Sequence, residues 1–156
     1  MDRRSMLKLT GAMTFALAAG KTFAQDQKVE ILWLGQAATK ITTPTGKVIV
    51  IDPFLTHNPK TPAQYKNLDA LGKVDVILVT HGHGDHTGDV KDLAARTGAK
   101  VFGPGDLLST MMELGWVRPE QAVRFHKGGT VTPFGPQIKI TQVRAEHSSE
   151  VTVTDP

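Results

Sequence analysis

Four side chains able to bind a divalent metal fall within six positions: His81, His83, Asp85 and His86, in the run THGHGDHT from Thr80 to Thr87. Imidazole suits borderline ions such as zinc, and a neighbouring carboxylate raises affinity and positions a water. In an extended segment residues i and i+2 point the same way, so His81 and His83 can reach one ion together. Gly84 allows a sharp turn after them. Asp85 and His86 then either face a second ion close by or support the ligands of the first. A polar loop with ordinary surface histidines is the bland alternative, and the density of ligating groups weighs against it. His147 offers a third imidazole from a distant part of the chain. With His81 and His83 it makes a three-nitrogen set that leaves a position free for water, the pattern of a catalytic rather than a structural zinc. Its alternative is a solvent-facing residue in the run EHSS.

A reactive loop needs a rigid support. The residues before His81, VDVILVT over 74–80, form an apolar run of strand type, with the strand expected over 75–80. Strands are also expected over 29–34, 39–43 and 47–51, with a turn at Pro44-Thr45-Gly46. Asp52-Pro53-Phe54 closes the third of these. Asp52 there either hydrogen-bonds a ligating imidazole or makes a strand-end turn. A polar loop over 55–73 holds a weak helix at 62–71, stopped by Gly72. Helices are expected over 88–96, with the stripe Val90, Leu93 and Ala94 and a stop at Gly98, and over 104–114, with Leu107, Leu108, Met111 and Leu114 inward. A short strand at 100–102 lies between them, and loop with a short strand spans 117–123. Turns follow at 127–130 and 131–136. Residues 137–144, QIKITQVR, alternate as a half-buried strand does and deliver His147, and a further strand begins at 150–154. Strand and helix alternate in the middle of the chain, so the fold class is α/β with a mixed sheet and flanking helices. Gly103-Pro104-Gly105 lacks a phosphate-cradling pattern. His57, His126, Trp33 and Trp116 read as surface, rim or packing residues, and Ser148 and Ser149 as water-polarising or turn residues.

The 156 residues begin with Arg3-Arg4-Ser5, an apolar run and small residues at Thr22 and Ala24. Residues 1–24 read as an export signal, and DRRSMLK resembles the twin-arginine type, which implies a periplasmic or secreted protein. The apolar run is too short to span a bilayer comfortably. The formal charge of +3 comes from Arg3, Arg4, Lys8 and Lys21 against Asp2, so residues 25–156 are formally neutral. That balance argues against a nucleic-acid partner. Cysteine is absent, which excludes disulfides and thiolate chemistry. Residues 25–156 are long enough for one domain with a core of its own.

The run from Thr80 to His86 is similar to the HxHxDH motif of the metallo-β-lactamase superfamily. WLGQAATKI (33–41), VIVIDPF (48–54), VDVILVTHGHGDHTGD (74–89), KGGT (127–130) and VRAEHSS (143–149) resemble one branch of it. This branch of metal-dependent hydrolases is similar to ascorbate-phosphate lactonase and to the phospholipase D of N-acylated ethanolamine lipids. The resemblance runs over residues 27–150. It implies an αββα sandwich, with His81, His83 and His147 on a first ion and Asp85 and His86 on a second. His81, His83 and Asp85 form the implied catalytic set, and Asp85 also orients the attacking water. One or two zinc ions are implied, with manganese or iron as the other metals such ligands admit. The implied reaction is attack by metal-activated water on an ester, lactone or phosphodiester bond of a small molecule.

Two departures stand out. The branch often has a histidine where this chain has Gln36. The family's second half supplies a bridging aspartate and a further histidine, whereas here the carboxylates after His147 are Glu150 and Asp155 and no histidine follows. The sequence therefore reads as the N-terminal half of such an enzyme, completed by a missing C-terminal half or by a second copy. The other functional expectation is a periplasmic zinc-binding or interaction module without catalysis. In a half-sandwich one sheet face lacks its partner layer, so residues such as those of VILV are expected to be poorly covered.

Overall fold

The computed structural model describes residues 28–153. The export signal expected over residues 1–24 lies outside them. Six strands form one mixed sheet in sequence order: β1 (Glu30–Gly35), β2 (Ala38–Thr42), β3 (Val48–Ile51), β4 (Val76–Leu78), β5 (Lys100–Pro104) and β6 (Ala122–Phe125). The first three pair antiparallel through short turns, as their spacing predicts. From β3 onward every pairing within this sheet is parallel. Parallel neighbours need crossovers. These are two 3-10 turns (Ala63–Lys66 and Leu68–Leu71), then a short helical turn α1 (Gly84–Thr87) with helix α2 (Val90–Thr97), then helix α3 (Gly105–Glu113). A two-residue hairpin of β7 (Thr130–Val131) and β8 (Ile140–Thr141) follows.

Alternation along the strands sorts the apolar residues onto two faces. Val50, Ile77 and Val101 lie side by side in the register and are fully buried. They pack in one cluster with Leu34, with Val90, Leu93 and Ala94 of α2 and with Leu107, Leu108 and Met111 of α3. Each such aliphatic side chain contributes roughly 1.5–3 kcal/mol by leaving water. The opposite face carries Ile49, Val76 and Phe102, covered by Phe125, Val131, Phe134 and Ile140.

The expectation of a poorly covered VILV run is corrected here. Val76, Ile77 and Val79 are buried, because helices lie on one side and the β7–β8 segment on the other. Exposure falls instead on β1. Ile31 (68 % exposed) and Trp33 (63 % exposed) stand beside Ile41 and Thr39 on the second face, beyond the reach of that segment.

Several expected elements change. The strand over 75–80 contracts to Val76–Leu78, because the backbone leaves the ladder to form the histidine loop. The helix over 62–71 becomes two 3-10 turns, and that over 88–96 starts at Val90. The short strand expected within 117–123 falls at the end of that range and runs beyond it, at Ala122–Phe125. The alternating stretch 137–144 pairs only at Ile140–Thr141, and residues 150–153 form no strand. Alternation alone makes no strand. The ladder available to 137–144 is β7, which the positive-φ turn at Gly128 and the donorless Pro133 hold to two residues.

One buried carboxylate ties the loop after β3 to the start of α2. Asp89, 2 % exposed, accepts from the Leu55 amide (2.5 Å), the Thr56 amide (3.0 Å) and the Thr56 hydroxyl (2.6 Å). Its own amide donates to Pro53 O at 2.9 Å. Asp89→Ala would strand two backbone donors beside a cavity. We expect a loss of about 2–4 kcal/mol, read from the urea midpoint at constant slope.

Candidate metal centre

Parallel neighbours end their strands at the same edge of a sheet, and loops there collect functional groups. β3 runs out into Asp52 and β4 into Thr80 and His81. The two exits are stitched together: the Asp52 amide donates to Leu78 O at 2.9 Å, and Asp52 Oδ1 accepts from the Thr80 amide at 2.8 Å. Asp52 Oδ2 accepts from the Thr80 hydroxyl at 2.8 Å and lies 2.9 Å from His86 Nδ1. Of the two readings of Asp52, the bond to an imidazole is the one observed.

These contacts fix the ring tautomers. A carboxylate only accepts, so His86 Nδ1 carries a proton and Nε2 presents its lone pair. The Thr80 hydroxyl has one proton and spends it on Asp52. Its oxygen therefore accepts from His81 Nδ1, 3.0 Å away. His81 Nε2 is left as a bare donor atom, 3.1 Å from His83 Nδ1. Two nitrogens bound tetrahedrally to one zinc at about 2.0–2.1 Å stand about 3.3 Å apart, so this pair fits one ion. The far nitrogen of His83, Nε2, lies 3.3 Å from Ser148 Oγ.

His147 arrives from the end of the described chain. Its ring centroid is 4.7 Å from that of His81 and 4.8 Å from that of His83. One donor atom from each of the three lies within 4.8 Å of the others. A close backbone crossing places it. A Cβ on Gly82 would lie 2.6 Å from Glu150 O, and the Gly82 amide donates to Ser149 Oγ at 2.9 Å. A glycine at 82 thus lets the segment after His147 lie across the histidine loop.

Asp85 and His86 ride on α1, where the His86 and Thr87 amides both donate to His83 O. The turn after His83 is helical. Gly84 is not among the glycines with positive φ, and a Cβ there would meet nothing within 4 Å. The expectation that glycine's freedom makes this turn is therefore corrected. Asp85 stands outside the three-imidazole group, with Oδ1 3.9 Å from His86 Nε2 and Oδ2 accepting from Gln36 Nε2 at 2.7 Å. His57 and His126 are exposed and take no part.

Sequence reasoning missed Thr80 and the Gln36 contact. Thr80 had a signal, since a hydroxyl just before the first histidine can reach its ring. Gln36 had none beyond its place in a turn, because its partner is 49 positions away. The donor set, imidazoles with one nearby carboxylate and no thiolate, suits zinc and similar divalent ions.

Residues 47–156 match a family model described as the beta-lactamase superfamily domain. A UPF0173 metal-dependent hydrolase of Cupriavidus necator is 59 % identical over 130 residues, covering 83 % of this chain and 45 % of that protein. A UPF0173 metal-dependent hydrolase of Thermodesulfovibrio yellowstonii is 40 % identical over 130 residues, covering 81 % and 48 %. The chain spans about half the length of the curated relatives it matches. Among solved structures, Igni18, a metallo hydrolase from the archaeon Ignicoccus hospitalis, superposes with a TM-score of 0.67 at 29 % identity. That match covers 78 % of this chain and 50 % of Igni18.

The His81 pKa lies below its ordinary value of 6.5, first because burial disfavours the charged ring, then because His86, His83 and His147 surround it; Asp52 pulls the other way. The folded chain thus takes up fewer protons here than the unfolded chain. The stability from this group is present above about pH 6.5 and is lost as pH falls through the depressed folded value. We expect the metal-free chain's urea midpoint to drop on acidification from pH 7, and His81→Asn to flatten that slope.

Proposed function

The chain belongs to the beta-lactamase superfamily, and from that premise we propose that it carries the metal-binding part of a hydrolase acting on an ester, lactone or phosphodiester bond of a small molecule. The observation that carries this reading is the convergence of His81 Nε2, His83 Nδ1 and His147 from two distant stretches of chain. The relatives' description as metal-dependent hydrolases supports it. His81, His83 and His147 would hold a first divalent ion, preferably zinc, and Asp85 with His86 a second. Bound there, such an ion lowers the pKa of a water and stabilises negative charge developing on a substrate oxygen.

The chain's own groups do the rest. Thr80 and Asp52 keep protons on His81 Nδ1 and His86 Nδ1, so each ring presents its Nε2 lone pair inward. Asp85, with Oδ2 held by Gln36, would bind the second ion through Oδ1 and so help to orient a water held there. His147 is exposed, which leaves the centre open to a substrate. A second reading, a metal-binding module without turnover, draws on the composition of the second position. Among the described residues, Asp85 and His86 alone stand there.

Zinc titration of the chain, with a panel of ester, lactone and phosphodiester substrates, tests both readings. The hydrolase reading expects zinc-dependent turnover that His83→Ala abolishes. It also expects zinc affinity to fall in that variant by more than the 10–100-fold typical of residues that merely orient ligands. An unchanged rate in His83→Ala sinks the assignment, and tight zinc binding without turnover selects the module.

We also propose that residues 1–24 direct export by the twin-arginine route, on the strength of Arg3-Arg4 ahead of an apolar run. Arg3→Lys with Arg4→Lys should retain the protein in the cytoplasm, read by cell fractionation. Unaltered export would exclude that route.

A further inference from the structure

Two non-glycine residues have positive φ among the described residues: Gln36 at 53° and Asp52 at 45°. Side chains disfavour that region, and such conformations persist where the surroundings enforce them. Both residues bond a side chain of the metal loop. Asp52 holds His86 and Thr80, and Gln36 holds Asp85.

The hold on Gln36 is built from several sides. The Trp33 ring N–H donates to Gln36 O at 2.8 Å. Gly35, with φ 105°, presses against the backbone of Lys60 and Thr61, where a Cβ would meet Lys60 C at 2.9 Å. The Thr61 hydroxyl donates to Leu34 O at 2.8 Å. The hairpin turn is thus clamped at Leu34, at Gly35 and at the Gln36 carbonyl, and the Gln36 amide is aimed across 49 positions of sequence at Asp85 Oδ2.

We infer that Gln36 is a positioning residue for Asp85, an inference that rests on the metal-centre reading above. Its amide occupies Oδ2 and turns Oδ1 toward His86 Nε2. Two ligand atoms on one tetrahedral ion stand about 3.3 Å apart, so the observed 3.9 Å would close by about half an ångström when an ion binds. The same bond keeps the carboxylate away from the three imidazoles, so the first position stays free of a fourth protein ligand. Gln36 thereby divides the donors between two positions: three neutral nitrogens at one, a carboxylate and a nitrogen at the other.

The test is stepwise zinc titration of the chain by calorimetry, with thermal melting alongside. Gln36→Gly removes the amide and suits the positive φ, so the metal-free Tm should hold or rise. The zinc step that Asp85→Ala weakens should itself weaken about tenfold in Gln36→Gly, the low end for a group that orients a ligand. The step lost in His83→Ala should stay within about twofold. In an Asp85→Ala background, Gln36→Gly should change nothing further, because its effect passes through that carboxylate. Equal weakening with and without Asp85 would overturn the inference. So would unchanged zinc binding in Gln36→Gly, or the absence of any step that Asp85→Ala weakens. None of these results touches the three-imidazole reading, which stands or falls with His83→Ala.

Discussion

A carboxylate at the end of a buried strand can accept hydrogen bonds but cannot give one, and Asp52 imposes that restriction on everything around it. It takes the Thr80 amide, the Thr80 hydroxyl proton and the proton on His86 Nδ1. The Thr80 hydroxyl, its proton committed, can only accept from His81. Two rings are thereby left with lone pairs on the nitrogens that face the centre. The polarity of the site thus propagates from one residue that is not itself among the proposed metal ligands. Orientation of this kind keeps imidazole nitrogens available to a cation, where free rings would sample both tautomers and both faces.

The scaffold makes such control possible. Asp52 and Thr80 leave adjacent parallel strands whose next inward residues, Val50 and Ile77, are fully buried. Their positions are set by the packed core, and the strained φ of Asp52 is sustained by that packing and by its hydrogen bonds. Asp89 extends the frame outward by binding the loop after β3 to the start of α2. On the far side the crossing over Gly82 holds the segment with His147 in place. The site is assembled from the exits of β3 and β4, the β1–β2 turn and the terminal segment. Of these, the two strand exits are the most rigidly founded.

Charge sets the conditions under which the arrangement is stable. Four imidazoles lie within a few ångströms, with ring centroids of His81 and His86 only 4.1 Å apart. Burial and then the three neighbouring rings disfavour charge on His81, and a divalent cation competes for the same lone pairs. Asp52 offsets part of this repulsion from one side, and Asp85, half exposed, faces it from the other.

The sequence by itself determined the cluster of ligating side chains and most of the scaffold. Imidazole and carboxylate side chains at 81, 83, 85 and 86, after an apolar β-rich run, mark a cluster of potential metal ligands at the end of a strand. The same periodicity marks β1 to β5, α2 and α3, because burial on one face of a strand or helix leaves a regular imprint. Elements that depend on a partner left no such imprint. The alternating stretch 137–144 looks like a strand yet pairs over two residues, since a ladder needs a neighbour as well as a pattern. Tertiary structure alone decided how distant residues meet: His147 with His81 and His83, Gln36 with Asp85, Asp52 with His86. Those meetings depend on the parallel registry of β3 and β4, on a clamped turn at Gly35 and on a glycine at 82 that lets another backbone approach. Sequence spacing carries the reach of a side chain along its own element; the contacts between elements are fixed by how the sheet and its core pack.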